Sequence, residues 1–220
     1  MIIEKVNSEK FLQLNNKYVI YILGLLWADG HVTFANNNSK TLIIKHSSKE
    51  EDNFDFLNIL LESGNWNTFK SKNVGSYTKK ENYICVNWTS NRKLGEFLIE
   101  HDYRNKIKSP DKILNKINND LKHFWFRGFF DGDGSITVIP KGHHSITFTG
   151  HKNQNWNFIE ILYEKLNILN YKKRIIKSRG GYSSQIRISN KKDMIKLFNY
   201  LYKNDNTICL NRKYEKFKLL

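Results

Sequence analysis

Two cysteines, two prolines and two methionines are all that the 220 residues contain of these types. Cys85 and Cys209 stand far apart, without the paired spacing of a zinc site or of a secreted disulfide framework, so a reducing, intracellular compartment is expected, cytoplasm or an organelle such as the mitochondrion. Long apolar runs are also lacking: the longest, Tyr18 to Ala28, falls short of the ~20 residues a membrane helix needs, which excludes a helical span. The amino end carries Glu4 and no apolar stretch of the signal-peptide kind. Acidic residues are scarce. The chain has 21 Asp and Glu against 36 Lys and Arg, a formal charge of +15 that exceeds what solubility requires and points to a polyanionic partner. Compositional bias toward Lys, Asn and Ile accounts for part of that excess. It does not account for 14% aromatic and 40% hydrophobic residues with clear periodicity, which mark a folded protein and not a basic tail.

What is present is present twice. Ile22-Leu23-Gly24-Leu25-Leu26-Trp27-Ala28-Asp29-Gly30 matches Phe126-Arg127-Gly128-Phe129-Phe130-Asp131-Gly132-Asp133-Gly134 as an apolar stretch with small residues at fixed offsets, closing in Asp-Gly. Phe56 to Glu62 is echoed by Phe158 to Glu164, and Ser90-Asn91-Arg92-Lys93 by Ser189-Asn190-Lys191-Lys192, in the same order and about 100 residues on. An internal duplication is the reading, with an amino-terminal repeat at 1–115, a carboxy-terminal repeat at 116–220, and the join around Pro110 to Asp120.

Within each repeat the periodicity reads helix, hairpin, helix, hairpin, helix, an α+β arrangement. In the first repeat the expectation is a helix ending near Ala28 and strands at His31–Ala35 and Thr41–Ser47. A helix at Glu51–Glu62, a hairpin around Ser76–Lys80 and Tyr83–Trp88, and a helix at Arg92–His101 follow. In the second, strands are expected near Ser135–Ile139, Ser145–Thr149, Lys173–Lys177 and Ser184–Ile188, with helices near Asn155–Leu166 and Lys191–Tyr202. His143 and His144 are adjacent, so on a strand they would point to opposite faces; they read as hairpin-loop residues, not a metal pair.

Gly24 and Ala28 are four apart, as are Gly128 and Gly132, so each pair lies on one helix face. A glycine inside a helix costs ~1 kcal/mol against alanine, and close approach of the two helices to each other supplies a reason for it. Asp29 and Asp133 then fall at the carboxy-terminal helix ends, where the backbone dipole disfavours a carboxylate by ~0.3–1 kcal/mol. Paired side by side they also repel each other, and a bound cation removes both penalties. Oxygen ligands without imidazole or thiolate favour Mg²⁺.

These two nonapeptides resemble the paired motifs of the LAGLIDADG homing endonucleases in their single-chain form, and the resemblance covers essentially the whole chain. It implies two pseudo-twofold αββαββα repeats with the motif helices at the interface. It also implies antiparallel sheets forming a saddle on double-stranded DNA, and a protein that acts as a monomer. The activity implied is metal-dependent double-strand cleavage of a long, non-palindromic target, leaving 3′ overhangs. Asp29 and Asp133 become metal ligands, with Gly30 and Gly134 beside them; Mn²⁺ is expected to substitute for Mg²⁺, and Ca²⁺ to support binding without cleavage. By the same resemblance Lys106 and Lys213, after the last helix of each repeat, polarise water near the metal. The sequence departs from the family pattern at Trp27, where Asp131 keeps the usual acid, at Leu23 and Arg127 in place of a small residue, and at the bulky Phe129-Phe130.

Strand alternation selects the residues that would face DNA. Ile136 and Val138 suit a core, which leaves Ser135, Thr137, Ile139 and, beyond them, Lys141 outside; His31 and Thr33 match them in the first repeat. Ile186 and Ile188 likewise leave Gln185 and Arg187 facing out, and these types make bidentate contacts to base edges. Lys45, Ser47, Lys70, Lys72, Lys79, Arg174, Lys177 and Arg179 are further candidates, some for phosphate alone. Rival readings on the same fold are an RNA maturase or a DNA-binding regulator without cleavage. A basic RNA-binding structural protein would explain the charge but not the two acidic motifs.

Overall fold

The computed structural model describes residues 12–34, 42–49, 52, 66–74, 81–139, 142–178, 181–202 and 208–220. The first repeat contributes α1 (Lys17–Asp29), β1 (His31–Phe34), β2 (Leu42–Lys49), β3 (Asn67–Val74), β4 (Glu81–Thr89) and α2 (Arg92–Glu100). A short α3 (Asp111–Leu114) lies in the join. The second repeat contributes α4 (Lys122–Asp133), β5 (Gly134–Thr137), β6 (Ser145–His151), α5 (Asn157–Lys165), β7 (Tyr171–Ser178), β8 (Gly181–Ile188), α6 (Lys191–Tyr202) and α7 (Asn211–Phe217). The result is the expected two-repeat α+β fold, with two antiparallel four-stranded sheets ordered β1-β2-β4-β3 and β5-β6-β8-β7.

Helix α1 starts on Asn16, whose side chain accepts from the backbone N–H groups of Tyr18 and Val19 and so satisfies two of the donors every helix start leaves open. Every residue from Val19 to Trp27 is buried, as is every residue of α4 from His123 to Asp131. Helices buried on all sides need cover all round, and the two cover each other. Their backbones touch. A Cβ on Gly24 would lie 2.0 Å from the carbonyl oxygen of Trp125, and one on Gly128 would lie 2.0 Å from that of Tyr21. Only glycine permits this crossing, which explains the paired glycines that the helix interior otherwise disfavours.

The inner face of each sheet packs on these helices. Val32 and Ile44 are buried in the first repeat, and Ile136, Ile146, Phe148, Ile186 and Ile188 in the second, where Phe148 stacks on Phe129 at 5.5 Å between ring centroids. The echoed Ser-Asn pairs are helix starts: Asn91 accepts from Leu94 N at 3.1 Å and Asn190 from Asp193 N at 3.3 Å. An ion pair ties the repeats together, Arg212 Nε to Asp52 Oδ1 at 2.6 Å.

The structure departs from the expected strands and helices at β3 and in the added helices α3 and α7. The third strand of the first sheet is Asn67–Val74, earlier than the hairpin arm expected around Ser76–Lys80, which lies outside the described residues. The helix expected at Glu51–Glu62 also lies outside them, except that Asp52 is helical. Helix α7, too short to show periodicity, was not anticipated; the matching stretch of the first repeat, His101 to Lys106, is a run of turns. Cys85 and Cys209 are both buried. Among the described residues no helix is long and apolar enough to cross a membrane.

Candidate functional site

Both motif helices end at the same place in the molecule. Helix α1 closes on Asp29 and α4 on Asp133, each followed by a glycine whose N–H caps the helix, Gly30 to Leu26 O and Gly134 to Phe130 O. The tightness of these exits requires glycine, since a Cβ at 30 would lie 2.5 Å from Leu26 O and one at 134 would lie 2.2 Å from the Phe130 ring. The carboxylate of Asp29 lies over Gly132: a Cβ there would be 3.2 Å from Asp29 Oδ2. Asp29 is open to solvent on one side while resting on protein on the other, and Asp133 is half-buried.

The two lysines converge on the same spot. Lys106 Nζ donates to Ala28 O at 3.1 Å and to Gly30 O. Lys213 Nζ donates to Phe130 O at 2.8 Å, Asp131 O at 2.6 Å and Gly134 O at 2.6 Å. Each ammonium therefore sits at the negative end of its motif helix, where a cation is favoured. Lys213 is buried (5% exposed) and Lys106 half-buried. The carbonyls of Gly30 and Gly134 thus already accept a lysine N–H.

The four charges perturb one another. Burial, then the charge of Asp29, pushes the Asp133 carboxyl up to about 7, against opposing pulls from Lys106 and Lys213. Partial loss of hydration raises Asp29 as well, again opposed by Lys106 and Lys213. Burial lowers both ammonium groups to about 8, with Asp133 and Asp29 holding Lys106 up and Asp131 the first to hold Lys213 up. Two carboxyls held above their ordinary range and two ammonium groups held below theirs form a cluster that a cation or an anion would rearrange. Among the described residues no group of three or more His, Cys, Asp or Glu could hold a metal ion, so a cation here would take two carboxylates from the protein and complete its shell from elsewhere. A cleft of about 680 Å³ opens beside the cluster, lined by His31, Arg104, Lys106, Asp133, His151 and Gln154 among others, and so draws on both repeats.

From this cluster the outer faces of the two sheets extend. Register places His31 opposite Lys45 and Thr33 opposite Ile43, so His31, Thr33, Lys45 and Ser47 share one face, with Trp88 and Val86 in the next strand. In the second sheet Ser135 pairs with Thr147, Thr147 with Arg187, and Arg187 with Lys172. The row through Thr149, Gln185 and Arg174 is linked by hydrogen bonds: Arg174 Nε and Nη2 donate to Gln185 Oε1 at 3.2 and 3.1 Å, and Gln185 Nε2 donates to Thr149 Oγ1 at 3.1 Å. Thr137 shares this face, and Ile139, past the strand end, is 49% exposed.

Two expected members of this face, Lys70 and Lys177, lie on the other side, and Lys72 is described by its backbone pairing alone. Lys70 pairs with Cys85 and Lys72 with Tyr83, in the rows that alternate with Asn67, Phe69 and Ser71. Lys177 pairs with Tyr182, in the rows of Ile186 and Ile188. Lys177 stands three residues from Arg174 on β7 and Lys70 one residue from Phe69 on β3, so period-two alternation puts each on the face opposite its neighbour. Both β3 and β7 are edge strands, where lysine discourages pairing with another chain. Lys79, Lys141 and Arg179 lie outside the described residues. Thr149 and Lys172 share the outer rows although the sequence reading did not single them out, and Thr147 has the same parity but is buried.

Residues 120–202 match the family described as LAGLIDADG-like domain. An uncharacterized protein of Methanocaldococcus jannaschii is 26% identical over 169 residues, 74% of this chain but only 60% of that protein's length. Among solved structures, the homing endonuclease I-WcaI bound to its DNA recognition sequence superposes with a TM-score of 0.58 at 17% identity, over 93% of this chain and 87% of that one. I-DmoI in complex with DNA and Ca superposes at 0.57 and 14% identity, over 92% and 97%. The N-terminal LAGLIDADG domain of DUF199/WhiA does so at 0.51 and 17% identity, over 88% of each chain.

Proposed function

We propose that this chain, which has the LAGLIDADG fold in its two-repeat form, is a site-specific endonuclease. Its substrate is a long, non-palindromic double-stranded DNA, cut once in each strand to leave short 3′ overhangs. The observation that supports this most is the meeting of Asp29 and Asp133 at abutting helix ends, each held there against an unfavourable dipole and partial desolvation. Stability alone gives no reason to retain two such carboxylates.

A divalent cation fits the pair, since it would offset the burial and the repulsion from Asp29 that raise Asp133, and an all-oxygen donor set suits Mg²⁺ or Mn²⁺. Bound there, such an ion supplies a water of lowered pKa and neutralises charge developing on the phosphate. The chain's own residues do the rest. Asp29 and Asp133 would hold the ion, and Lys106 and Lys213 keep positive charge at the helix ends. An ammonium has three donors, of which Lys106 uses two on carbonyls, leaving one for a water or a phosphate oxygen. The outer rows through Arg187, Gln185, Arg174, Lys45 and His31 present donors to base edges and phosphates over both sheets. Both motifs reside in one chain, so a monomer suffices.

The test is selection of cleaved sites from a randomised duplex library with Mg²⁺, with Ca²⁺ expected to support binding without cutting. Recovery of one asymmetric site supports the reading; binding with no cleavage under any divalent ion overturns it. That second outcome would fit the other reading, a nucleic-acid-binding regulator or maturase without cleavage. The occurrence of the same fold in the WhiA domain keeps that reading in play, and it requires that Asp29→Asn and Asp133→Asn leave activity unchanged.

A further inference from the structure

We propose that Arg127 and Asp131 are positioning residues that fix Lys213, and through it one half of the site, by directional hydrogen bonds where the other half relies on aromatic packing. The proposal rests on the reading of the site as a paired cleavage centre.

Positions 23 and 127 correspond in the duplication, as do 27 and 131, and in each motif helix the two stand one turn apart. In α1 they are Leu23 and Trp27. The Leu23 carbonyl accepts from Tyr103 Oη at 3.0 Å, the Tyr103 ring stands edge-on to Trp27 at 5.0 Å, and Trp27 tilts against Trp125 at 6.3 Å. In α4 the same places carry charge. Arg127 Nε donates to Leu201 O at 2.7 Å and Nη1 to Ile208 O at 2.8 Å, with the guanidinium 4.9 Å from the Phe124 ring centroid and 5.0 Å from that of Tyr202. Asp131 Oδ2 accepts from Leu210 N at 2.9 Å and from Tyr21 Oη, on the other motif helix, at 2.6 Å.

Leu210 caps the turn that leads to Lys213, whose N–H donates back to Leu210 O at 2.9 Å. Lys213 Nζ then returns to Phe130, Asp131 and Gly134 of the same stretch that holds it. The loop from α4 to Leu210 to Lys213 and back is closed. Arg127 and Asp131 are 0% and 3% exposed. Buried charge is costly unless fully bonded, and apolar residues serve at the equivalent places in the first repeat, so folding alone does not call for charge here. What the charges add is direction.

The test measures cutting of each strand separately, on a duplex carrying the selected site and labelled at both ends, with Lys106→Met and Lys213→Met establishing which strand each lysine serves. Arg127→Met, Asp131→Asn and the milder Tyr21→Phe should slow the Lys213 strand, the first two by about tenfold or more, as loss of supporting hydrogen bonds does elsewhere. The Lys106 strand should change by less than about twofold, since none of the variants touches a bond that holds Lys106. Equal slowing of both strands, or slowing of the Lys106 strand, overturns the proposal. Amide hydrogen exchange provides a readout independent of cutting: protection should fall across Ile208 to Phe217 and hold across His101 to Lys106. Uniform loss, or none, overturns it. Failure of the wild-type protein to cleave any duplex would sink the endonuclease reading alone, and the exchange pattern would still decide the positioning claim.

Discussion

Gly24 faces the carbonyl oxygen of Trp125 with no room for a side chain, a Cβ at that point lying 2.0 Å from the oxygen. The contact is repeated by Gly128 against Tyr21, so the crossing has the symmetry of the duplication. Because the obstacle is backbone, it cannot rotate aside. Gly24→Ala and Gly128→Ala should each destabilise the fold by about 3 kcal/mol, the upper end of overpacking costs, which urea unfolding would measure. A loss below about 0.5 kcal/mol for either would mean that the helices separate freely and that the two acids are not held together by this contact.

That crossing delivers Asp29 and Asp133 to one place. Replacing either with asparagine keeps size and removes charge, so DNA cutting should fall by about 10³-fold, a barrier increase of about 4 kcal/mol. Binding in the presence of Ca²⁺ should persist. Retained double-strand cutting by either variant would remove these residues from the mechanism.

The raised carboxyls make stability depend on pH in a definite sense. Asp133 is lifted to about 7, first by burial and then by Asp29, while Asp29 and Asp131 move in the same direction. Between the ordinary carboxylate range and about pH 7 the folded chain therefore binds more protons than the unfolded one, and stability in chelator should fall as pH rises through that window. Added Mg²⁺ should stabilise most at the upper end, where it no longer competes with the proton. Scanning Tm against pH with and without Mg²⁺ checks both; a Mg²⁺ effect that does not grow with pH, or a fall that survives undiminished in Asp133→Asn, would contradict the assignment.

On the outer faces the expectation separates two kinds of residue. Arg187→Ala and Gln185→Ala should each cost about 1–3 kcal/mol and relax base preference at a few positions of the site. Lys70→Ala and Lys177→Ala, on the opposite faces, should leave base preference unchanged. A site-selection profile for each variant distinguishes them. Altered preference in Lys177→Ala would mean that DNA approaches the other side of the sheet.

Much of this molecule could be read from residues in order. The duplication, the glycines at helical spacing and the final acids identified the two helices, and alternation through Ile136 and through Ile186 and Ile188 gave the correct outward residues in β5 and β8. Lys70 and Lys177 lie on the opposite face because period two separates Lys177 from Arg174 and Lys70 from Phe69, and edge strands rich in lysine carry little hydrophobic pattern to show which parity faces out.

By itself, the sequence determined what strong local periodicity sets: the two repeats, the two motif helices, the strands marked by alternating apolar residues, and the acids that end the motif helices. Only tertiary structure decided what those ends meet. That Lys213 is fixed through Arg127 and Asp131, that Tyr21 crosses to the opposite repeat's Asp131, and that Arg212 closes on Asp52 all depend on contacts between residues far apart in the chain. Such contacts follow from how two backbones pack at Gly24 and Gly128, and packing is a property of the assembled fold that no single stretch of chain contains.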